Sequence, residues 1–315
     1  MILKFLLKRI LASLPTLFIV SVFVFLLLRM VPGDPAALVV GDVANSAELA
    51  RVRAEMGLDK PLPAQYLLWL ADVLRGDFGY SFMNREAVLP ALMERFQVTV
   101  QVIALAFLLS AAVAIPAGVF AAWRQNRRAD IAIVTSATLL LSVPSFWMGI
   151  LLILLFGVKL GWLPTLGFVP FQQSPTEWLL HIIMPTAALV FVETAILTRL
   201  MRASTIEVLG QEYITYARSK GLPESIVLRR HTLKNAITPT LTMLGLILGS
   251  LLSGTVVIET IFGLPGLGRF LIDAIYARDY PVIQGTLLFI VLIYVAINIV
   301  IDLLYPLLDP RVRQA

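Results

Sequence analysis

The sequence predicts an all-α integral membrane protein with six transmembrane helices, on three observations. Apolar residues make up 59% of the chain and charged residues only 14%, against about 25% charged in a soluble domain. Mean hydropathy is +0.88. Six stretches stay apolar over about 20 residues, the length that crosses a bilayer. The formal charge of +5 then reads as a set of topology determinants rather than a nucleic-acid surface. Cysteine is absent, which excludes disulfides, thiolate chemistry and cysteine-held metal. The two histidines, His181 and His231, are separated by a span and a loop, a pattern unlike a histidine metal site.

Residues 1–30 read as an N-terminus and first span: Lys4, Lys8 and Arg9 precede Ile10–Leu28, too long an apolar run for a signal-peptide core. Residues 31–96 read as an extracytoplasmic helical segment. Asn45 and Glu48 form a capping-box pattern that opens a helix closed by Gly57. Pro61 and Pro63 precede an amphipathic run, Gln65–Arg75, that Gly76 stops. Gly76-Asp77-Phe78-Gly79 reads as a tight turn. A third helix begins near Asn84, with Val88, Leu89, Leu92 and Phe96 at helical spacing.

Residues 97–305 form the membrane core, with spans near 97–122, 131–158, 178–200, 236–261 and 282–304, followed by a tail, 306–315. Pro116 and Pro144 predict bends in the second and third spans. Small residues recur every four positions at Ala114, Gly118, Ala122 and at Gly245, Gly249, Ser253, which lets helices approach closely within a subunit or between subunits. Counting Lys and Arg sets the orientation. With both termini inside, the inner pieces hold fifteen of the twenty-five, including Arg124, Arg127, Arg128, Arg311 and Arg313. The short outer loops hold only Lys159, Arg269 and Arg278, so the termini are expected in the cytoplasm.

Phe262–Phe270 is glycine-rich, yet Gly268 is followed by Arg269 and Phe270 rather than the Lys-Ser/Thr that a phosphate loop needs. It reads as a turn, and no other nucleotide fingerprint occurs. Ionisable groups inside the spans are few: Glu193 and Arg199 in the fourth, Glu259 at the outer end of the fifth, and Asp302, which shares a face with Asn298, near the inner end of the sixth. At these depths they read as interfacial or helix-pairing groups rather than a proton relay.

The densest basic cluster lies in one polar interruption, Glu212–Pro239, within a loop expected over 201–235. A helix from Ser204 or Thr205 as N-cap would run to Ser219. Gly221 fits a left-handed residue after it, and Pro223 fits the first turn of a second helix. Tyr213, Tyr216 and Ala217 would lie together on the first, and Ile226, Arg230 and Leu233 on one face of the second. Two helices meeting at a glycine corner, rooted at both ends in spans, present a compact knob.

Here the chain resembles the cytoplasmic coupling loop of ATP-binding-cassette importer permeases, in the dipeptide/oligopeptide/nickel branch. The residues that carry the resemblance are Tyr213-Ile-Thr-Tyr-Ala217-Arg-Ser-Lys-Gly221, then His231-Thr-Leu233-Lys-Asn235-Ala236 and Pro239. Further agreement lies in Pro32-Gly-Asp-Pro35, Gly57-Leu-Asp-Lys-Pro61, Gly76-Asp-Phe-Gly79, Gly161-Trp-Leu-Pro164, Pro265-Gly-Leu-Gly-Arg269, Arg278-Asp-Tyr-Pro281 and Asp309-Pro-Arg311. In the general permease pattern Glu-Ala-Ala and Ile-x-Leu-Pro stand where this chain has Thr215-Tyr216-Ala217 and His231-Thr-Leu233-Lys234, so only Ala217, Gly221 and Leu233 fit it.

The resemblance implies a type I importer fold in a bacterial inner membrane and a second homologous permease subunit beside this one. It implies two ATPase subunits that hold ATP and magnesium, and an extracytoplasmic substrate-binding protein. No cofactor is expected in this chain. The coupling loop would use Glu212, Tyr213, Tyr216, Ala217, Lys220, Gly221, His231, Leu233 and Asn235, and Asp77, Phe78, Arg278 and Asp279 would meet the binding protein. The cargo would be di- or oligopeptides, with glutathione or nickel chelates as the alternative. An ion-driven secondary transporter working without ATPase subunits is the reading from a different class, and it would lean on Glu193 or Asp302.

Overall fold

The computed structural model describes residues 2–30, 36, 46–55 and 57–308. Asn45, the Pro32–Pro35 and Asp309–Arg311 stretches, Arg313 and the side chain of Asp302 lie outside the description. Among the described residues every regular element is helical, apart from one isolated bridge between Tyr80 and Ala87. The helices are α1 (Ile2–Met30), α2 (Ser46–Glu55), α3 (Leu62–Leu74), α4 (Val88–Trp123), α5 (Arg128–Leu141), α6 (Ser145–Leu152), α7 (Pro175–Leu209), α8 (Glu212–Ser219), α9 (Glu224–Ile226), α10 (Leu233–Phe262), α11 (Leu267–Ala277) and α12 (Tyr280–Leu308).

Among the described residues five helices are long and apolar enough to cross a membrane: Arg9–Leu27 within α1, α4, α7, the helix from Glu224 to Phe262, and Tyr280–Ile301 within α12. The expected third span is instead broken. α5 and α6 with its π-helical end, Ile153–Lys159, meet at 96° and count as a sixth span only when taken together. The break has a local cause. Pro144 has no N–H to donate and stands extended (φ −59°, ψ 144°) as the N-cap of α6. Pro116 lies inside α4 without interrupting it.

Three expected boundaries move. The helix placed near Asn84 begins at Val88, because Asn84 is in a turn whose side-chain carbonyl accepts from the Glu86 N–H (3.2 Å). That helix and the second span are one, α4, so the expected boundary at 96/97 falls inside a continuous helix. Ser204 and Thr205 are not N-caps: α7 carries through them to Leu209, because Thr198, Met201, Ser204 and Thr205 continue its buried stripe. Packing of that stripe overrides the capping preference of the two hydroxyl residues.

The chain divides into two compact units, Met1–Gln97 with Arg269–Ile299, and Val98–Gly268 with Val300–Ala315. In the first, α1 meets α3 through Phe25 stacked against Tyr66 and Trp69 (5.5 and 5.9 Å between ring centres), with a hydrogen bond between Ser21 and Tyr66 hydroxyls at 2.8 Å. Gly285 of α12 lies against Val88, Leu92 and Phe78, and Phe96 meets Phe289 edge to face.

In the second unit α7 is the hub, packed on α5, α6 and α10. Gly118 of α4 lies directly on Met201, Thr198 and Arg202 of α7, where a Cβ would overlap backbone atoms. The small stripe Ala114–Gly118–Ala122 therefore serves packing inside one subunit. Trp178 of α7 donates its indole N–H to Gln101 at 2.7 Å.

Candidate functional site

The polar interruption folds as a corner. α7 ends at Gly210, Gln211 is the N-cap of α8, and Lys220 closes α8 before Gly221 turns left-handed at φ +77°. A Cβ on Gly221 would meet nothing within 4 Å, so glycine is required by backbone conformation alone. Pro223 is the N-cap of α9 rather than a first-turn residue, extended at ψ 144°. α9 continues without a break through a π-helical stretch, Val227–Thr232, into α10. Its i→i+5 spacing inserts one residue relative to an α-helix: Ile226 and Arg230 are both exposed, whereas Leu233 is half-buried and leaves the face that α spacing assigns it.

Beneath the corner Ile214, Ala217 and Val227 form a buried cluster, packed by Val208, Leu209 and Leu222. Ala217 is thus a core residue of the knob, and a larger side chain there would lift α8. Arg218 braces α8 against α9 by paired hydrogen bonds to Glu224 (2.6 and 3.2 Å). The hydrogen bond to Glu224 pushes the Arg218 guanidinium above its usual pKa against a smaller opposing desolvation, so the brace stays charged.

The outer surface of the knob carries the tyrosines. Tyr216 is 62% exposed, and the Lys220 ammonium lies 4.5 Å over its ring. The Tyr213 hydroxyl accepts from Asn235 (3.1 Å), whose amide also donates to the His231 carbonyl (2.9 Å). Glu212 is exposed; His231 and Leu233 are half-buried. Tyr213 and Asn235, with Glu207, Val208 and Gln211, line a shallow depression of about 360 Å³. Seven of the nine candidate residues therefore fall into three groups: Tyr213, His231 and Asn235 joined by hydrogen bonds, Tyr216 with Lys220 facing outward, and Ala217 with Gly221 setting the shape; Glu212 and Leu233 join none of them.

Of the four residues expected to meet a binding protein, Asp77 and Arg278 are exposed and Phe78 is half-buried. Arg278 is left-handed, at φ +54°. Asp279 is corrected: it is 3% exposed, and its carboxylate accepts from the Ser81 hydroxyl (2.5 Å) and the Phe82 N–H (3.1 Å). It fastens the loop 76–87 from inside. Asp279→Ala would leave those donors unsatisfied at about 1–3 kcal/mol each. Limited proteolysis in that loop should accelerate, whereas Asp77→Ala, an exposed change, should leave the rate alone.

Three polar joints join the helices; Glu193 and Glu259 were expected as helix-pairing groups without partners, and Asp130 was not singled out. Asp130, 2% exposed at the start of α5, receives two hydrogen bonds from Arg202 of α7 (2.6 and 2.7 Å) and one from the Asn126 N–H (2.9 Å). Glu259, fully buried, accepts from Thr99 (2.6 Å) and the Gly268 N–H (2.7 Å), while Thr99 accepts from the Leu267 N–H (2.9 Å). Glu193 of α7 accepts from Ser250 of α10 at 2.9 Å. The available signal was an acid beside an apolar run; the partner, 57 to 160 residues away, has no local pattern.

The chain is similar to known membrane transport proteins. A family model described as "Binding-protein-dependent transport system inner membrane component" matches residues 114–314, and its N-terminal companion matches 2–103. A protein from Brucella abortus (strain 2308) named as a peptide transport system permease is 45% identical over 98% of both chains. One from Sinorhizobium fredii named as a peptide ABC transporter permease is 41% identical, over 98% of this chain and 99% of its own. The glutathione transport system permease GsiC of Escherichia coli (strain K12) is 40% identical over 99% of both. A solved structure titled as an amino acid ABC transporter is 18% identical, with a TM-score of 0.49 over 70% of this chain and 94% of that one. The chain belongs to the binding-protein-dependent transport system inner membrane components, multi-pass subunits with the type I importer permease fold.

Proposed function

We propose that the chain is the permease subunit of an ATP-driven, binding-protein-dependent importer and forms half of a translocation pathway for di- or oligopeptides. The observation that carries this reading is the α8–α9 corner, a rigid knob rooted at both ends in long apolar helices. The names of the relatives favour peptide cargo, and glutathione, itself a small peptide, is the second reading that one of those names favours. The termini and the knob face the cytoplasm, where two ATPase subunits holding ATP and magnesium receive it. A second homologous permease completes the pathway, and a binding protein delivers cargo on the other side. Closure of the ATPases on ATP favours one arrangement of the knobs and so shifts the permease between outward and inward states. This subunit itself performs no catalysis.

The test is cargo-stimulated ATP hydrolysis by the full assembly in vesicles. Gly221→Val forces a β-branched residue into left-handed backbone, at about 1–2 kcal/mol, and displaces the knob. Tyr216→Asp changes only its exposed surface. Both should lower the stimulation at least tenfold (about 1.4 kcal/mol of coupling) while the ATPase subunits still co-purify. Unchanged stimulation in both variants would refute the coupling role.

A further inference from the structure

The outward faces of two long helices in the second unit differ in kind. From Val100 to Phe120 on α4 every exposed position is apolar, among them Ala104, Leu108, Leu109 and Val113. That face suits hydrocarbon. On α10 the exposed positions between 242 and 260 are Thr242, Leu246, Ser250, Ser253, Val257 and Thr260. They recur every three or four residues, so they form one stripe, and four of the six carry hydroxyls. Hydroxyls alone decide nothing, because each can bond its own helix, as Thr242 and Thr260 do to the carbonyls of Thr238 and Val256.

The second observation is the acid behind the stripe. Glu193 is 7% exposed and reaches α10 at Ser250, midway along it. One carboxylate oxygen accepts from the Ser250 hydroxyl, and the other has no donor. The Ser250 hydroxyl has a single hydrogen, and the Ile247 carbonyl at 3.0 Å competes for it. Of the cations beyond it on α7, Arg199 is exposed, and Arg202, a quarter exposed, is committed to Asp130. A carboxylate at this depth is costly unless it meets a cation or water, and intramembrane acids of this kind mark transport paths. It has one weak donor and a second oxygen that is buried without any donor, and it stands behind an exposed, hydroxyl-bearing face. That is a receptor for N–H groups carrying positive charge.

We propose that the Thr242–Thr260 face of α10 lines the cargo path, and that Glu193, through Ser250, is the subsite for the terminal ammonium of a passing peptide. The proposal rests on the peptide reading of the cargo. The hydroxyls replace water along the path, and Glu193 takes the one group that every unblocked peptide shares.

The native chain contains no cysteine, so single-cysteine variants of the complete importer report directly. In vesicles, S250C and S253C should react with a charged, water-soluble methanethiosulfonate, dipeptide should protect S250C, and V113C on α4 should stay unlabelled. The importer carrying E193Q should lose at least tenfold in its ratio of free-amine to N-acetylated dipeptide uptake, and E193D should keep most of it. A site that hydrogen-bonds a group discriminates against analogues lacking it, and the ratio is blind to general loss of protein. If E193Q carries neither peptide, E193D decides: retained preference supports the subsite and lost preference overturns it. An E193Q importer with the wild-type ratio, or S250C and S253C no more reactive than V113C, overturns the proposal while leaving the peptide reading intact. A wild-type importer that carries neither peptide refutes the peptide reading, and the ammonium assignment falls with it.

Discussion

Asp130→Ala should destabilise the protein by about 3 kcal/mol, at the lower end of the range of about 3–5 for breaking a buried ion pair. The carboxylate is nine-tenths buried and holds both prongs of Arg202, whose side chain is a quarter exposed and keeps some water when abandoned. Arg202→Lys should recover only part of the bond, since an ammonium cannot reproduce the two-pronged geometry. Replacing both partners by Leu and Met should cost much less than either single truncation, because no charge is then stranded. Thermal unfolding in detergent measures all four. A single-variant loss under about 1 kcal/mol, the size of an exposed pair, would show that the joint does not hold α5 to α7. The pair stands eight residues before Gly210, where α7 gives way to the knob, so its loss should also weaken the coupling that Gly221→Val probes.

The second large effect is expected where α10 turns into α11. Glu259→Gln replaces one carboxyl oxygen by an NH2 group, so the side chain no longer accepts from both the Thr99 hydroxyl and the Gly268 N–H, and a buried donor left unsatisfied costs about 1–3 kcal/mol. Gly268→Ala attacks the same joint sterically, since its Cβ would overlap the backbone and side chain of Val256. Neither variant should accumulate in the membrane at the wild-type level. Gly254→Ala, whose Cβ meets only Leu189 at an ordinary 3.5 Å, should accumulate normally and serves as the control. Equal amounts of all three by quantitative immunoblot of membranes would refute the joint.

Much of this architecture was legible because bilayer-crossing helices must satisfy their own backbone and so announce themselves as long apolar runs. The corner was legible too: Gly221 and Pro223 punctuate locally, and local signals survive in a linear reading. Ser204 and Thr205 misled for the opposite reason. Their capping preference is intrinsic, but burial on α7 is decided by neighbours that the sequence brings together only after folding. Asp279 looked like a surface residue in a polar tetrapeptide, and its partner Ser81 is 198 residues away. Asp130 with Arg202 and Glu259 with Thr99 were illegible on the same ground, since no spacing rule links side chains on different helices. At the candidate site, turn chemistry located the corner and the family resemblance singled out Tyr213 and Tyr216, whereas the hydrogen bonds of Asn235 needed coordinates.

The π-helical stretch Val227–Thr232 makes the helix from Glu224 to Phe262 two phases of one screw rather than a single one. Everything before it is offset by a residue from everything after. In heredity, that makes the stretch a place where a codon can be lost with little damage, because closing the wide turn to an ordinary one restores the commoner hydrogen bonding. Such a loss would leave the knob facing as before, because the residue removed is the one that the wide turn absorbs.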